Sequence, residues 1–237
     1  KMKLKPSFVK TRNVRNFEVL MNGLDLAAGE GRFGLVYGQA GRGKTRTAQW
    51  YVAGNQAVYL RVLAIWTTSE LDFLRALARE LGVLTPPHRK AAAFQVVLDR
   101  LIAEPRTIVL DEMEKMPPKF LGFLRDLTDL SGSPIVFVGE VELVPYLQAE
   151  LRVWSRVFQQ VEFEPISATD IVYYSAEVAG LQLDKDAAAI VAKSSGGDFR
   201  LVRRDVIALA QMCQGKGATA VTAEMATIAA KQALHGR

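Results

Sequence analysis

The chain has 237 residues, of which 49% are hydrophobic, and its formal net charge is +5, which suits one large α/β domain alone or with a smaller appendage. Cys213 is the only cysteine, which excludes an intrachain disulfide and a cysteine-based metal site, and a histidine-rich site is disfavoured because only His88 and His235 are present. Since no apolar run is long enough to cross a bilayer and the N-terminus lacks an apolar signal segment, we expect a cytoplasmic protein without a membrane partner.

The N-terminal residues are basic. The cations that precede the first acidic residue, Glu18, are Lys1, Lys3, Lys5, Lys10, Arg12 and Arg15. We therefore separate residues 1–25 as a basic N-terminal arm. Such an arm suits contact with a phosphate backbone or an acidic partner, and it suits a solvated tail equally well.

Strand and helix patterns alternate from residue 26 to residue 165. Short apolar runs predict strands over residues 33–37, 57–62, 107–110, 135–138 and 157–163. Apolar residues at helical spacing predict helices over residues 45–53, 71–81, 94–101, 120–130 and 143–154. This alternation predicts a three-layer α/β core with a mostly parallel five-stranded sheet.

The strand signal stops beyond Pro165. Helical patterns with capping residues cover residues 171–179, 187–193, 199–213 and 223–234. Glycine-rich joints separate them at residues 196–197 and 215–217. We therefore predict a small all-helical lid over residues 166–237.

A complete phosphate-binding loop follows the first predicted strand. The pattern G-x-x-x-x-G-K-[ST] is matched by Gly38, Gln39, Ala40, Gly41, Arg42, Gly43, Lys44 and Thr45. Its glycines let backbone N–H groups surround a polyphosphate, Lys44 reaches the terminal phosphates, and Thr45 can hold Mg²⁺. We expect these residues and the following Arg46 to bind a nucleoside triphosphate, ATP.

Two acids end the predicted strand over residues 107–110. Asp111 is expected to hold Mg²⁺, mostly through water, and Glu112 to polarise the attacking water. A solvated turn is the alternative for this acid pair. Glu140, after the next strand, could help to place the water, but a carboxylate near phosphate is repelled, and a favourable charge at a helix N-terminus explains it as well.

Arginines downstream suit charge stabilisation at the phosphates. Arg156, with Arg152 as the second choice, could reach the γ-phosphate held by a neighbouring subunit; surface ion pairing is the alternative for either one. Arg200 opens a helix and could fold over the phosphates. Arg203 and Arg204 share that helix, where they could contact DNA or an acidic surface or remain solvated.

In this order, these motifs resemble those of the AAA+ ATPases, and residues 197–200 resemble the sensor-2 motif. Residues 36–45 and 59–62 are similar to the branch that contains phage Mu transposition protein B, the regulator TnsC and secretion ATPases of the ExeA type. The resemblance implies an ATPase that assembles into a ring or helical filament on double-stranded DNA and delivers target DNA to a transposase. The DNA-binding positions that it implies are Arg61, Thr67, Thr68, Arg89 and Lys90.

Other nucleotide-binding classes fit the sequence less well. The alternative that stays open is a nucleotide switch in a secretion or signalling assembly without direct DNA binding. A GTPase is disfavoured because an Asn-Lys-x-Asp guanine-reading motif is absent from the sequence. A nucleoside kinase is disfavoured because the acid pair and the paired arginines indicate water activation and assembly.

Overall fold

The computed structural model describes residues 5, 7–27 and 32–234, and within these it leaves out the side chains of residues 67, 68, 216 and 232–234. Lys1 and Lys3 of the predicted arm therefore lie outside the described residues. The chain divides into two compact units. Residues 16–39 and 44–163 form one, which we call the core unit, and residues 1–15, 40–43 and 164–237 belong to the other, the helical unit.

A five-stranded sheet forms the middle layer of the core unit. Its strands are β1 (Phe33–Tyr37), β2 (Ala57–Arg61), β3 (Thr107–Asp111), β4 (Ile135–Val138) and β5 (Val157–Glu162). They lie in the order β2-β3-β4-β1-β5, and all neighbours are parallel. The predicted parallel sheet is confirmed, and the carboxyl ends of its strands meet at one edge.

Helices cover both faces of this sheet. In chain order they are α1 (Arg12–Leu26, whose first four residues belong to the helical unit), α2 (Lys44–Gly54), α3 (Glu70–Glu80), α4 (Lys90–Ala103), α5 (Leu121–Ser131), α6 (Leu143–Gln148) and α7 (Leu151–Trp154). One helix was expected over residues 143–154, but the chain breaks it at Glu150, whose φ of −106° and ψ of 75° are not helical.

Alternating strand residues fill two separate apolar layers. Leu35, Leu110 and Phe137 pack in the layer that contains α3, α4 and α5. Val36 and Val109 face the opposite layer, which contains α1 and α2. Both layers are built because side chains along a strand point alternately to the two faces, so a short run that is wholly apolar suits a sheet covered on both sides.

Part of the predicted N-terminal arm belongs to the core. Phe17, Leu20 and Met21 on α1 are fully buried, and Phe17 packs edge-on against Tyr51 and Phe163 with ring centroids 5.6 and 6.4 Å apart. The basic residues that define the arm lie before Glu18, whereas the apolar stripe of α1 continues to Leu24. Residues 16–26 are therefore a packed helix of the core unit.

The helical unit has its own apolar core. Its helices are the start of α1, α8 (Ala168–Ala179), α9 (Lys185–Ser195), α10 (Phe199–Lys216) and α11 (Ala223–Leu234). Their side chains bury Ile171, Val191 and Val206 completely or nearly so. Within this unit Asn13 exchanges two hydrogen bonds with the backbone of Glu164, at 2.8 and 3.2 Å.

The expectation of an all-helical lid needs a correction. Two short strands, β6 (Gln182–Leu183) and β7 (Ala220–Val221), pair in parallel in the helical unit. A two-residue strand is too short to produce an alternating pattern in the sequence, so it could not be predicted. Among the described residues, no helix is both long and apolar enough to span a membrane.

Candidate nucleotide-binding site

The predicted phosphate loop connects β1 to α2. Gly38 has a φ of +148°, and a side chain there would stand 2.6 Å from the carbonyl oxygen of Phe163, so glycine is required. The Lys44 ammonium donates hydrogen bonds to the carbonyl oxygens of Gly38 and Gln39, at 2.6 and 2.9 Å. Lys44 is buried, with 8% of its surface exposed. These two hydrogen bonds hold its ammonium against the start of the phosphate loop.

The middle of the loop, residues 40–43, groups with the helical unit. In that unit Arg42 Nη1 donates to the carbonyl oxygen of Gly196 at 2.6 Å, and the N–H of Phe199 donates to the carbonyl oxygen of Gly41 at 2.8 Å. Gly41 has a φ of +79°, and a side chain there would overlap the carboxylate of Asp198. Gly41 is therefore constrained by its conformation and by its surroundings.

Asp111, the predicted magnesium ligand, is the last residue of β3 and is 2% exposed. Its Oδ1 accepts a hydrogen bond from the backbone N–H of Glu112 at 2.9 Å, and its Oδ2 accepts one from the hydroxyl of Tyr59 at 2.8 Å. Burial, and next the charge of Asp111, raise the pKa of Tyr59, so the phenol keeps its proton. Each carboxylate oxygen is thus fixed by a donor.

Glu112, the predicted base, has an unusual backbone. Its φ of 56° and ψ of 41° lie in the left-handed region, and among the described residues it is the only non-glycine with positive φ. Strain of this kind concentrates at functional sites. The side chain accepts hydrogen bonds from Arg61 and Lys115. Burial acts to raise the pKa of Glu112, but these two cations outweigh it and the pKa is lowered.

A further carboxylate, which was not predicted from the sequence, lies after β3. Glu114 Oε2 accepts the N–H of Glu140 at 3.3 Å, and a side chain at Gly139 would overlap it. Burial raises the pKa of Glu114. Glu140 itself is exposed. The signal that could have identified Glu114 is the glycine at position 139, which leaves space for it.

The two candidate finger arginines differ in their surroundings. Arg156 Nε and Nη2 donate to the two carboxylate oxygens of Asp129 at 2.9 and 2.8 Å, and Nη1 donates to the carbonyl oxygen of Arg152 at 2.7 Å. The hydrogen bond to Asp129 raises the pKa of Arg156. Arg152 is exposed, and its side chain makes no hydrogen bond or ion pair with any residue that the structure describes.

In the helical unit, Arg200 lies in the first turn of α10. Its Nη2 donates to Asp198 Oδ2 at 2.8 Å, and this contact lowers the pKa of Asp198. Asp198 also caps α10 by accepting the backbone N–H of Arg200 at 2.8 Å. Arg203 is exposed, whereas Arg204 pairs with the buried carboxylate of Asp205 at 2.8 Å.

The positions expected to contact DNA lie on three segments of the core unit. Arg61 ends β2, and residues 64–68 form a 3-10 helix that carries Thr67 and Thr68, whose side chains lie outside the described part of the chain. Arg89 is exposed just before α4. Lys90 begins α4 and pairs with Glu70 at 2.6 Å.

The parallel sheet brings several predicted residues to one edge. The phosphate loop follows β1, Arg61 ends β2, Asp111 ends β3 and Glu140 comes after β4. Since β1, β4, β3 and β2 are consecutive neighbours, these positions occupy the carboxyl edge where ligands of open α/β sheets bind. No pattern in the sequence indicated Tyr59, Glu114 or Asp129 as partners of these residues.

The residues present fit a magnesium ion. Asp111 and Thr45 offer a carboxylate and a hydroxyl, both hard oxygen donors of the kind that Mg²⁺ prefers. Mg²⁺ is usually held by one or two protein oxygens together with substrate phosphates and water, so this small donor set is sufficient.

Residues 27–147, about half of the chain, match the family described as the AAA domain. The chain belongs to the AAA domain family. This membership confirms the predicted class of fold and the predicted ATPase activity.

Two curated relatives of this AAA domain protein are named for roles with DNA. The DNA transposition protein B of a Mu-like prophage of Haemophilus influenzae is 24% identical over 206 residues, which are 83% of this chain and 70% of the relative. The ATP-dependent target DNA activator B of phage Mu is 28% identical over 134 residues, which are 56% of this chain and 42% of that protein. These relatives confirm the resemblance to transposition protein B noted in the sequence.

Solved structures show the same fold. Cdc6p of Pyrobaculum aerophilum superposes with a TM-score of 0.65 at 18% identity, covering 92% of this chain and 66% of that one. The Thermotoga maritima branch migration motor RuvB superposes with a TM-score of 0.60 at 18% identity, covering 94% of this chain and 70% of that one. At this identity the likeness concerns the fold alone.

Proposed function

We propose that this AAA domain protein is an ATP-dependent regulator of DNA transposition. In this proposal it binds double-stranded DNA without sequence preference, assembles on it as a ring or helical filament, and delivers it to a transposase in the cytoplasm. Support comes from relatives named as a DNA transposition protein and an ATP-dependent target DNA activator. Because the chain spans 42% of the phage Mu protein, the DNA and transposase partners are part of the proposal.

The proposed ATP chemistry uses residues of the core unit. Lys44 binds the terminal phosphates, and Thr45 and Asp111 hold Mg²⁺, which neutralises phosphate charge when bound. Glu112 orients the attacking water and accepts its proton. The lowered pKa of Glu112 keeps its carboxylate ionised at neutral pH, which is the form that a base requires.

The observation that carries the DNA part of the proposal is the ion pair between Arg61 and Glu112. The side chain of Arg61 is 57% exposed, so its guanidinium can also reach a phosphate from solvent. A guanidinium has five N–H donors, and the structure pairs only Nη2 of Arg61 with Glu112. Arg61 can therefore contact a DNA phosphate while it holds the carboxylate of the proposed base, and in this proposal that shared side chain couples DNA contact to hydrolysis.

Self-association would complete the site. An arginine of a neighbouring subunit, Arg156 or Arg152, would stabilise charge that develops on the γ-phosphate. Within its own chain Arg156 already uses Nε, Nη1 and Nη2, whereas Arg152 is exposed. This difference favours Arg152 as the side chain that reaches across.

The test is retention of random-sequence duplex DNA by the protein with ATP, with ADP and without nucleotide, over a range of salt concentrations. We expect retention that depends on ATP. The logarithm of the observed DNA-binding constant is expected to fall linearly with the logarithm of salt concentration, with a slope of about −0.9 for each phosphate contacted. Lys44→Ala is expected to lose ATP binding and with it the retention. Normal ATP binding by intact wild-type protein without DNA retention at low salt would instead favour the nucleotide switch of a secretion or signalling assembly.

A further inference from the structure

Among the residues that the structure describes, Tyr59 alone donates a side-chain hydrogen bond to Asp111. Its hydroxyl lies 2.8 Å from Asp111 Oδ2, while the other oxygen, Oδ1, accepts the backbone N–H of Glu112 at 2.9 Å. Asp111 is 2% exposed, so water has little access to replace either bond. A buried carboxylate depends on such donors for both its ionisation and its orientation.

The register of the sheet explains how Tyr59 reaches Asp111. Arg61 lies beside Asp111, and Tyr59 lies beside Val109, in parallel pairing of β2 with β3. Side chains two residues apart on a strand share a face, so Tyr59 and Asp111 lie on the same face of the sheet. The long phenol reaches from the position beside Val109 to Asp111, two residues further along β3. The Tyr59 ring also packs in the apolar layer beside α2, which fixes its direction.

A second contact connects Tyr59 to the helix that follows the phosphate loop. The side chain of Gln49, on α2, acts to lower the pKa of the Tyr59 phenol, against the larger effects of burial and of Asp111. Gln49, Tyr59 and Asp111 are therefore polar neighbours in series from α2 to the end of β3. A polar group beside the phenol polarises the hydrogen bond that the phenol donates to Asp111.

From this geometry we propose that Tyr59 is a positioning residue for the metal carboxylate: its hydroxyl holds Asp111 in the orientation that the nucleotide-bound Mg²⁺ requires. The inference rests on the proposed role of Asp111. Hydrogen bonds from outside the ligand shell fix the direction of ligating carboxylates, and their loss typically reduces metal affinity or activity by about 10- to 100-fold.

The test is Tyr59→Phe, which removes the hydroxyl and keeps the ring. Binding of a fluorescent ATP analogue is titrated with MgCl₂ and, separately, in EDTA, and Mn²⁺ binding in the presence of ATP is followed by electron paramagnetic resonance. We expect the concentration of Mg²⁺ needed for half-maximal enhancement of nucleotide binding to rise about tenfold. Nucleotide affinity in EDTA is expected to stay at the wild-type value.

Tyr146→Phe is the matched control. Its hydroxyl also donates a hydrogen bond from a partly buried site, to the carbonyl oxygen of Met116 at 2.5 Å, but that bond does not involve Asp111. This variant is expected to keep the wild-type Mg²⁺ titration. In an Asp111→Asn background, Tyr59→Phe is expected to add no further change.

Two results would overturn the inference: Mg²⁺ and Mn²⁺ titrations of Tyr59→Phe that superimpose on the wild type, or an equal loss of nucleotide affinity with Mg²⁺ and in EDTA. Should Tyr59→Phe fail to fold, Gln49→Leu, at an exposed position, replaces it as the test. This variant is expected to raise the Mg²⁺ concentration for half-maximal enhancement of nucleotide binding by about twofold. An unchanged Mg²⁺ titration for Gln49→Leu would then overturn the inference. Failure of the proposed nucleotide site is distinct, because wild-type protein would then not bind ATP.

Discussion

Arg61 and Glu112 form an ion pair at the adjacent carboxyl ends of β2 and β3. Lys115 pairs with the same carboxylate from the following 3-10 turn. Two cations therefore surround the proposed base, and they differ in position: Arg61 ends a strand of the sheet, whereas Lys115 lies three residues after Glu112. This difference allows their roles to be separated by mutation.

Arg61→Ala is expected to weaken binding to duplex DNA of any sequence and to reduce the magnitude of the salt slope by about one. Nucleotide affinity is expected to stay unchanged, because Arg61 does not belong to the phosphate loop. Lys115→Ala is the control, since it removes the other partner of Glu112 and leaves Arg61 in place. Equal DNA isotherms for Arg61→Ala and wild type would place the DNA path elsewhere.

The pKa of Glu112 provides a readout of this ion pair. It is lowered from its ordinary value of 4.5, so the pairing stabilises the fold above that pH and is lost as the pH falls through the lower folded value. Arg61→Ala and Lys115→Ala are each expected to raise the pKa of Glu112. The measurement is a pH titration of the carboxyl carbon by NMR; an unchanged midpoint in both variants would show that the cations do not hold this carboxylate in solution.

Glu112→Gln is expected to bind ATP and to lower turnover by about 100-fold or more, the usual contribution of a general base. The lifetime of assemblies formed with ATP is expected to increase by the same factor as turnover falls. Turnover is measured as phosphate release, and lifetime by light scattering after dilution. Glu114→Gln is the comparison: a larger loss of turnover there than in Glu112→Gln would transfer the role of base to Glu114.

The two candidate finger arginines are separated by a charge exchange. Asp129→Arg combined with Arg156→Asp keeps an ion pair between α5 and the residue before β5 but removes the arginine from position 156. If Arg156 only supports the turn that carries Arg152, we expect low ATPase activity in Asp129→Arg and in Arg156→Asp, and largely restored activity in the double variant. Arg152→Ala is then expected to bind ATP but to lack ATPase activity. An inactive double variant together with an active Arg152→Ala would assign the finger to Arg156.

Phe17→Ala tests whether α1 belongs to the core. Phe17 is fully buried, and removal of a buried phenylalanine side chain costs about 3–5 kcal/mol. Val19, on the same helix, is 59% exposed, so Val19→Ala is expected to change stability by no more than about 0.5 kcal/mol. Urea unfolding measures both; similar small effects would mean that residues 16–26 behave as an arm.

The sequence predicted most of the core with good boundaries. The strand expected over residues 135–138 is observed as Ile135–Val138, and the strand expected over 107–110 extends by one residue to Asp111. Short apolar runs in a sheet covered on both faces produce a strong pattern, which is why these elements could be recognised. The break at Glu150 was not recognisable, because the apolar spacing continues across it.

The phosphate loop and the acid pair could be recognised from the sequence alone, because each is a local pattern of neighbouring residues. The partners of these residues were decided only by the tertiary structure. Tyr59 and Asp111 are 52 residues apart, Arg61 and Glu112 are 51, and Asp129 and Arg156 are 27. Such pairs depend on strand order and register, which bring distant segments side by side and which no spacing along the chain encodes.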